Sequence, residues 1–457
     1  MELVVVILAA GKGSRMHSDL PKVLHQLAGK PLLAHVMDAA RSLNPQKIVT
    51  VYGHGGDQVQ AYFNQYKTNA PLQWVLQEQQ LGTGHAVAQT LPHISAHATV
   101  LILYGDVPLI ASNTLQSLVA AVNEKTLALL TVETDQPQGY GRIIRDKNNQ
   151  VCCVIEQKDA TPEQQKIREI NTGMVAVPGH WLKQWLPNLK ANNAQGEYYL
   201  TDIIKKAVED HLTIQVFHPQ TLAEVEGVND RKQLAALERC YQAAQAEKLL
   251  LAGVTLLDPQ RFDLRGTVEI GKDTIIDVNI IIEGQVKIGS RVMIGANVIL
   301  NNVVIGDDVV IKPFTHIENS IIEAECEVGP YARLRPGTHL SRHAKVGNFV
   351  EVKDSLVGED SKINHLSYVG NAELGKNVNV GAGTITCNYD GANKHKTIMK
   401  DNAFIGSNAS LVAPVIIGEG ATVGAGSVIS KNAPDGKLTL TRAKQETNNR
   451  WQRPRKQ

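Results

Sequence analysis

Two groups of residues in this sequence have the types and the spacing that chemistry requires. The first runs from Leu8 through Ala9, Ala10, Gly11, Lys12, Gly13, Ser14 and Arg15 to Met16, with Leu20, Pro21 and Lys22 following. Two glycines just beyond a strand let backbone amides approach a phosphate, and Arg15 and Lys22 would add positive charge beside a triphosphate. The loop matches neither Gly-x-Gly-x-x-Gly nor the P-loop, so an ordinary turn remains an alternative.

The second group lies in the C-terminal half. Arg335 and Lys353 are 18 residues apart, and each directly follows an aliphatic residue. In a coil of 18 residues they would stack on one face, roughly 5 Å apart, where an anion such as phosphate would relieve their repulsion. Two solvated charges are the alternative. In the next coil, His365 is a candidate to take a proton from an attacking amine near neutral pH, although a lone histidine is more often structural. Tyr368 lies near the same corner.

The elements that must position the first group alternate between strands and helices. We predict strands at Leu3–Leu8, Lys47–Tyr52, Leu72–Gln77 and Val100–Tyr104, and helices at Leu32–Arg41 and Gly84–Thr90. This alternation predicts an α/β, Rossmann-like domain with a mainly parallel sheet, whose ligands bind at the carboxyl ends of the strands. The glycine-rich loop and Asp106 both fall there. A helical connector with one apolar stripe is predicted from about 230 to 251.

The elements that carry the second group repeat every six residues. Aliphatic residues recur at this interval from Ile270 to Val380 and from Met399 to Ile429, with the interval shortening to five at a few positions. A triangular coil of three short strands explains this period, whereas helix and strand periods do not, so we predict a parallel β-helix of roughly nine coils. The repeat breaks at Cys387-Asn388-Tyr389-Asp390-Gly391, where an insertion predicts a functional loop.

Composition excludes several classes of protein. The chain has 457 residues, 43% hydrophobic, and a net charge of +1, so it is long enough for two domains and has no global affinity for nucleic acid. Its longest apolar run, eight residues, is too short to cross a bilayer, and no signal peptide is evident. Five cysteines without metal-ligand spacing predict a reducing, cytoplasmic location. Residues 442–457 hold six Lys or Arg and one Glu, a basic tail that either folds over a ligand phosphate or is disordered.

Further motifs in the first half resemble those of the sugar-1-phosphate nucleotidyltransferases. They are Gln77, Leu81-Gly82-Thr83-Gly84, Tyr104-Gly105-Asp106, Gly139-Tyr140-Gly141-Arg142, Glu156, Asn171-Thr172-Gly173 and Glu226-Gly227-Val228-Asn229. The chain departs from the usual Gly-x-Gly-Thr-Arg only in Ser14, which keeps the hydroxyl. With the repeat, whose pattern resembles the left-handed β-helix of hexapeptide acyltransferases, the sequence resembles a bacterial family of bifunctional enzymes, UDP-N-acetylglucosamine pyrophosphorylases that are also glucosamine-1-phosphate acetyltransferases.

The resemblance implies a role for each matching residue of the first half. Arg15 and Lys22 would be catalytic, and Asp106 and Asn229 would hold Mg²⁺, although Asp106 alone could be a strand-end cap. The residues implied to bind UTP or UDP-N-acetylglucosamine are Leu8, Ala9, Ala10, Gly11, Lys22, Gln77, Gly82, Thr83, Tyr104, Gly105, Asp106, Gly141, Glu156, Asn171 and Asn229. Of these, Gln77, Gly82 and Thr83 would hold uracil. Glu156 as a surface charge and Asn171 as a turn residue are the alternatives for the sugar site.

In the second half, the resemblance makes His365 the general base. It implies that Arg335, Lys353, Tyr368 and Asn379 bind glucosamine 1-phosphate, and that Ala382, Asn388, Tyr389, Ser407, Ala425 and Arg442 contact acetyl-CoA. It also implies a homotrimer with sites between the β-helices. The product would be UDP-N-acetylglucosamine, a precursor of peptidoglycan and lipopolysaccharide, formed from UTP and N-acetylglucosamine 1-phosphate after acetylation.

The predicted organisation is therefore residues 1–229 as the uridylyltransferase domain, 230–251 as a helical linker, and 252–457 as the β-helix acetyltransferase domain with its basic tail. Two other interpretations remain. The chain could be a single nucleotidyltransferase whose β-helix only oligomerises, which would need neither His365 nor the Arg335/Lys353 pair. It could also be a non-catalytic assembly subunit, against which the intact Arg15 and Lys22 count.

Overall fold

The computed structural model describes residues 2–53, 55–64 and 71–454. The last three residues of the basic tail lie outside this range. Contacts divide the chain into two compact units, residues 1–241 and 242–457. The division falls inside the helix Arg231–Leu251, which the sequence predicts as the linker. Among the described residues, no helix is long and apolar enough to cross a membrane.

Unit 1 is an α/β domain. Its strands are β1 Leu3–Ala9, β2 Gln26–Leu27, β3 Lys30–Pro31, β4 Lys47–Tyr52, β5 Leu72–Leu76, β6 Thr99–Tyr104, β7 Thr126–Glu133, β8 Arg142–Arg145, β9 Val151–Ile155, β10 Glu169–Pro178 and β11 Thr213–Phe217. Its helices are α1 Leu32–Arg41, α2 Gly56–Asn64, α3 Thr83–Ala88, α4 Ser112–Ala121, α5 Gly179–Trp185 and α6 Asp202–Glu209, and α7 Arg231–Leu251 follows. All the predicted strands and helices are confirmed, with ends that shift by no more than two residues.

The main sheet has the strand order β11-β7-β10-β6-β1-β4-β5. Along this order, β10 runs antiparallel to its neighbours β6 and β7, while the other pairs are parallel, so the sheet is mainly parallel, as predicted. Strands β8 and β9 also belong to this sheet, in which β8 pairs antiparallel with both β10 and β9. The β-branched run in β1 is buried on both faces because helices cover the sheet on either side. The carboxyl ends of β1, β4, β5, β6 and β7 consequently lie along one edge, where the glycine-rich loop begins.

Unit 2 is a parallel β-helix with three faces, made of short strands from β12 to β37. They are β12 Thr255–Leu256, β13 Phe262–Ile270, β14 Ile275–Ile276, β15 Ile280–Ile288, β16 Met293–Ile294, β17 Ile299–Ile305, β18 Val310–Ile311, β19 His316–Ile322, β20 Glu327–Val328, β21 Arg333–Leu334, β22 His339–Leu340, β23 Lys345–Asn348, β24 Glu351–Lys353, β25 Leu356–Val357, β26 Lys362–His365, β27 Tyr368–Gly370, β28 Ala372–Leu374, β29 Asn379–Val380, β30 Ile385–Cys387, β31 Thr397–Met399, β32 Phe404–Ile405, β33 Ser410–Val412, β34 Val415–Ile417, β35 Thr422–Val423, β36 Val428–Ile429 and β37 Leu438–Thr439.

Strands on each face pair in parallel with those of the next coil. The first face holds β20, β23, β26, β29 and β32, the second β21, β24, β27, β30 and β33, and the third β22, β25, β28, β31 and β34. The six-residue repeat is confirmed because its aliphatic residues, such as Ile276, Leu300 and Leu411, are fully buried. Partners are 18 residues apart at Arg333 and Glu351 but 17 apart at Lys345 and Lys362, which reflects the predicted shortening.

Turns between faces carry residues in the left-handed conformation. At the corner between the first and second faces, the bulky residues Phe314, Tyr331, Phe349 and Leu366 all have positive φ, which is rare for such side chains. The three aromatic rings stack with centroid separations of 4.9 and 5.3 Å. The predicted insertion occupies the corner between the second and third faces, between β30 and β31.

Candidate active sites

A cavity of about 360 Å³ lies at the carboxyl edge of the sheet in unit 1. Ten of the predicted nucleotide-binding residues line it: Leu8, Ala9, Ala10, Gly11, Lys22, Gln77, Gly82, Thr83, Tyr104 and Asp106. They come from the ends of β1 and β6 and from the segments after β5, which parallel pairing places at one edge. The fold therefore assembles in one place residues that are almost 100 positions apart in the sequence.

Lys22 and Asp106 form an ion pair inside this cavity. The Lys22 ammonium contacts the Asp106 carboxylate and lies 3.4 Å from Asn229 Oδ1. The Val228 amide, next to Asn229, donates to the Asp106 carbonyl at 2.9 Å, which fixes the two oxygen-bearing residues relative to each other. A carboxylate and an amide oxygen that converge on one cation are the hard oxygen donors that Mg²⁺ prefers.

The glycine-rich loop is anchored at Met16. This side chain is 1% exposed and packs with Leu27, Val228 and Leu237. Its carbonyl accepts a hydrogen bond from Arg231 Nε at 3.3 Å. Arg15, just before it in the short turn Ser14–Met16, is exposed and does not line the cavity. The loop is thus held from the start of α7, a contact that the sequence analysis missed because Arg231 lies 215 positions away.

The residues predicted to contact uracil pack against both backbone and side-chain atoms of neighbouring segments. Gln77 is 4% exposed, and its amide donates to the Gly82 carbonyl at 3.1 Å. Gly82 has a φ of 107°, and a Cβ atom there would lie 2.6 Å from the Tyr198 carbonyl oxygen, so only glycine fits. Gln80 and Glu197 also line the cavity but were missed. The acidic and tyrosine residues concentrated at 197–202 could have indicated Glu197.

The three predicted sugar-binding residues lie together beside this cavity. The Asn171 amide donates to the Gly141 carbonyl at 2.9 Å, and a Cβ atom at Gly141 would lie 3.5 Å from both carboxylate oxygens of Glu156. Thr201 donates to Glu156 at 2.9 Å. Burial raises the pKa of Glu156, and it also raises the pKa of Tyr104 nearby. A half-buried carboxyl group that accepts a hydrogen bond at one oxygen is suited to accept further hydrogen bonds from sugar hydroxyls.

The second face of the β-helix carries the predicted phosphate cations. Arg335 and Lys353 occupy adjacent coils, because the Arg335 amide donates to the Val352 carbonyl. Arg335 also forms an ion pair with Glu351 at 2.8 Å, which raises the pKa of Arg335. The ammonium of Lys394, together with Arg335, lowers the pKa of Lys353. Glu351, Glu318 and Asp354 are the carboxylates near these cations. Sequence analysis missed Lys394 because the insertion breaks the repeat.

His365 lies at the corner between the first and second faces. Its Nδ1 atom is 2.8 Å from Asn348 Oδ1, one coil below. Backbone hydrogen bonds link the same corner from coil to coil: Leu366 to Asn348, Gly383 to His365, Asn408 to Ala382 and Gly426 to Ser407. The predicted acetyl-CoA residues Ala382, Ser407 and Ala425 therefore stack in one column with His365, although the sequence separates them by unequal intervals.

Other predicted residues of the second site lie elsewhere on the β-helix. Asn379 is on the first face, where it pairs with Lys362 and Phe404. Arg442 is exposed beyond the last strand. Within one chain, the structure does not bring these residues to the Arg335/Lys353 pair on the second face.

The insertion holds Asn388 and Tyr389 at the opposite corner, between the second and third faces. Asn388 is 8% exposed and donates to Asn371 Oδ1 at 2.6 Å, whereas Tyr389 is 61% exposed. Asp390 accepts hydrogen bonds from the Asn393 amide and from His395, and these lower the pKa of Asp390. The loop is thereby closed on itself, with Tyr389 presented to solvent.

Comparisons with known proteins agree with this division. A MobA-like NTP transferase domain matches residues 5–212, a GMPPB C-terminal domain matches 264–350, and a bacterial transferase hexapeptide of six repeats matches 396–431. A solved structure of UDP-glucose pyrophosphorylase complexed with UDP-glucose superposes with a TM-score of 0.45 at 16% identity, over 53% of this chain and 98% of that one. Nothing about function follows from a likeness at that level.

Two curated relatives match along their full length. The Bifunctional protein GlmU of Cellvibrio japonicus (strain Ueda107) is 57% identical over 452 residues, and that of Marinobacter nauticus (strain ATCC 700491 / DSM 11845 / VT8) is 56% identical over 454 residues. In both cases the match covers 99% of this chain and 99% of the relative. The chain therefore belongs to the GlmU family of bifunctional enzymes, which are both uridylyltransferases and acetyltransferases.

Proposed function

We propose that the two sites described above make UDP-N-acetylglucosamine in sequence, the β-helix site acetylating glucosamine 1-phosphate and the α/β site transferring uridylyl to the product. The observation that carries this proposal is the full-length match to relatives named bifunctional. A single-activity enzyme with an inert β-helix would not need a histidine, a cation cluster and a column of small residues on that β-helix.

In uridylyl transfer, a phosphate oxygen of N-acetylglucosamine 1-phosphate attacks the α-phosphorus of UTP. A new P–O bond forms, the bond to the β-phosphate oxygen breaks, and pyrophosphate leaves. The nucleophile is already ionised, so the residues need only align the reactants and neutralise charge. We assign Lys22 and Arg15 to the phosphates, and Asp106 and Asn229 to Mg²⁺, which supplies charge neutralisation when bound.

Alignment of the two substrates follows from the rest of the cavity. Gln77, Gly82 and Thr83 would hold the uracil ring in the buried end, while Gly141, Glu156 and Asn171 would hold the sugar beside it. Tyr104 lies near both groups, because it lines the cavity and the negative charge of Glu156 helps to raise the pKa of Tyr104. The sugar phosphate would then face the UTP phosphates at the glycine-rich loop.

In acetyl transfer, the amine of glucosamine 1-phosphate attacks the thioester carbonyl of acetyl-CoA. A C–N bond forms, the C–S bond breaks, and CoA leaves as the thiol. We assign the proton released by the amine to His365 Nε2, which then returns it to the leaving sulfur or to solvent. Arg335, Lys353 and Tyr368 would hold the sugar phosphate, and the column of Ala382, Ser407 and Ala425 would lie along the pantetheine arm.

We further propose that the acetyltransferase site is completed by a second chain in a homotrimer. Hexapeptide repeats favour oligomers. Asn379 lies on the first face, and Asn388 and Tyr389 lie at the corner between the second and third faces, so these residues cannot all reach one substrate within a single prism. Neighbouring β-helices packed side by side would bring the missing residues together.

The experiment that tests the proposed function compares two variants of the whole chain in two assays. In His365→Ala, thiol release should fall about 10²–10⁴-fold, the usual reach of general-base catalysis, while pyrophosphate release from supplied N-acetylglucosamine 1-phosphate stays normal. In Asp106→Ala, pyrophosphate release should fall about 10²–10³-fold, while thiol release stays normal.

Each variant is thus the control for the other. Loss of both activities in either variant would indicate a folding defect, which thermal denaturation would reveal. Wild-type thiol release in His365→Ala would remove the general base, and wild-type pyrophosphate release in Asp106→Ala would remove the Mg²⁺ assignment. No thiol release in the wild-type chain would instead support an inert β-helix.

A further inference from the structure

Asn348 makes a specific contact with His365. It is the last residue of β23, and it is the register partner of His365 in the adjacent strand β26. Asn348 Oδ1 lies 2.8 Å from His365 Nδ1, which is hydrogen-bond distance. In the part of the chain that the structure describes, this is the one side-chain hydrogen bond of the imidazole ring. His365 is otherwise an exposed residue.

The chemistry of the two groups fixes where the proton lies. An amide oxygen only accepts hydrogen bonds, so the ring nitrogen facing it must donate. A neutral imidazole has one N–H group, and placing it at Nδ1 leaves the lone pair at Nε2. We propose that Asn348 is a positioning residue that selects this tautomer of His365 and orients Nε2 toward the substrate amine. The proposal rests on the role of His365 as the general base.

An amide suits this task better than a carboxylate would. A carboxylate next to Nδ1 would favour the imidazolium ion and would reduce the fraction of free base at neutral pH. The charged residues that line the neighbouring cavity are mainly basic. A cavity of about 250 Å³ on the first face is lined by His365 with Lys312, Glu327 and Lys345, and Glu327 pairs with both lysines. Lys362 lies on the same strand as His365. The surplus charge is therefore positive.

The test is the pH dependence of acetyl transfer in substitutions at Asn348. In Asn348→Asp the acceptor oxygen remains but gains a negative charge, so the acid limb of the kcat profile should move to higher pH by about half a unit to one unit. At pH values above that limb, kcat should be close to that of the wild type. In Asn348→Ala the acceptor is lost, and kcat should fall about 10-fold or more at every pH, with little change in the KM for glucosamine 1-phosphate.

Asn364→Ala is the matched control. Asn364 lines the same cavity and precedes His365 in the chain, but among the described residues its side chain forms no hydrogen bond with the ring, so the pH profile of the variant should match the wild type. A merely structural role for Asn348 would lower kcat in both Asn348 variants without moving the limb. That result, or an unchanged kcat in Asn348→Ala, would overturn the proposal.

The failure of the proposal can be told apart from the failure of the proposed function. If His365→Ala retains full thiol release, His365 is not the base and the function assigned to it fails first. If His365→Ala is inactive but Asn348→Asp keeps the wild-type acid limb, only the role of Asn348 is wrong. Pyrophosphate release by the same preparations reports that each variant chain is folded.

Discussion

The α/β unit and the β-helix unit assemble their candidate sites in different ways. In the α/β unit, the carboxyl ends of neighbouring strands share one edge, so residues from Leu8 to Asn229 converge near one cavity within one chain. In the β-helix unit, each coil repeats the same three faces, so distant residues stack along one corner but residues of different faces stay apart. A sheet edge thus concentrates a site within one chain, whereas a prism distributes its residues over several faces, which is why we propose that another chain completes the site.

Mixing variant chains is the strongest test of this difference between the two units. If acetyl transfer uses Arg335 of one chain and Asn379 of another, co-expressed Arg335→Ala and Asn379→Ala chains will form some intact sites. With random assembly about a quarter of the sites should receive both native residues, so activity should exceed the average of the two separate variants. Thiol release, measured at equal total protein, is the readout.

The α/β unit provides the opposite case. Asp106→Ala and Glu156→Ala chains, co-expressed in the same way, should give pyrophosphate release no higher than the average of the two variants, because that site lies within one chain. Complementation there, or its absence for the β-helix pair, would contradict the distinction between the two units.

A smaller effect is expected at Lys394. It tests which cations of the β-helix site bind the sugar phosphate. Removing one of three cations in Lys394→Met should raise the KM for glucosamine 1-phosphate about 10-fold or more at neutral pH. The same change should alter the alkaline limb of kcat/KM. Because the Lys394 ammonium lowers the pKa of Lys353, its removal raises that pKa, and Lys353 stays protonated to higher pH.

The alkaline limb in Lys394→Met should therefore move upward, although binding is weaker at neutral pH. Lys396→Met, in which the lost ammonium contacts Glu373 instead, is the control and should leave both quantities unchanged. If the alkaline limb of kcat/KM stays in place in Lys394→Met, the ammonium groups of Lys353 and Lys394 do not interact in the functional enzyme.

The smallest effect is expected at Arg231, which holds the glycine-rich loop of the α/β unit in place. Arg231→Met removes the hydrogen bond to the Met16 carbonyl, so the loop that carries Arg15 and Lys22 is held less firmly. Pyrophosphate release should fall about 3- to 10-fold, the scale of one hydrogen bond, with acetyl transfer unchanged. Lys232→Met, an exposed neighbour, should behave as the wild type. Equal losses in both variants would show that the effect is not specific to the loop.

Much of the fold followed from periodicity. Strand–helix alternation predicted the mainly parallel sheet, and the six-residue repeat predicted three faces and the residues that point inward. The positions of Arg335 and Lys353 in adjacent coils followed from their 18-residue spacing alone. These features depend on local pattern, which a sequence displays directly.

Contacts between distant segments could not be predicted. Nothing in the sequence places Arg231 beside Met16, or Glu197 in the cavity that Lys22 lines, because such arrangements depend on how loops close over the sheet edge. Lys394 was missed for a related reason, since an insertion has no register from which a position can be read. The resemblance of the motifs indicated the sugar-site residues, but only the fold brings Gly141, Glu156 and Asn171 together.

The anchoring of Met16 has a consequence for the order in which the protein is made. Val228 and Leu237, against which Met16 packs, are translated more than 200 residues after the loop with Arg15 and Lys22. The sheet can begin to form before they appear, since domains fold as their chains emerge. The phosphate loop therefore matures last in its unit, and a chain truncated at residue 229 would lack Leu237 and Arg231, which hold it.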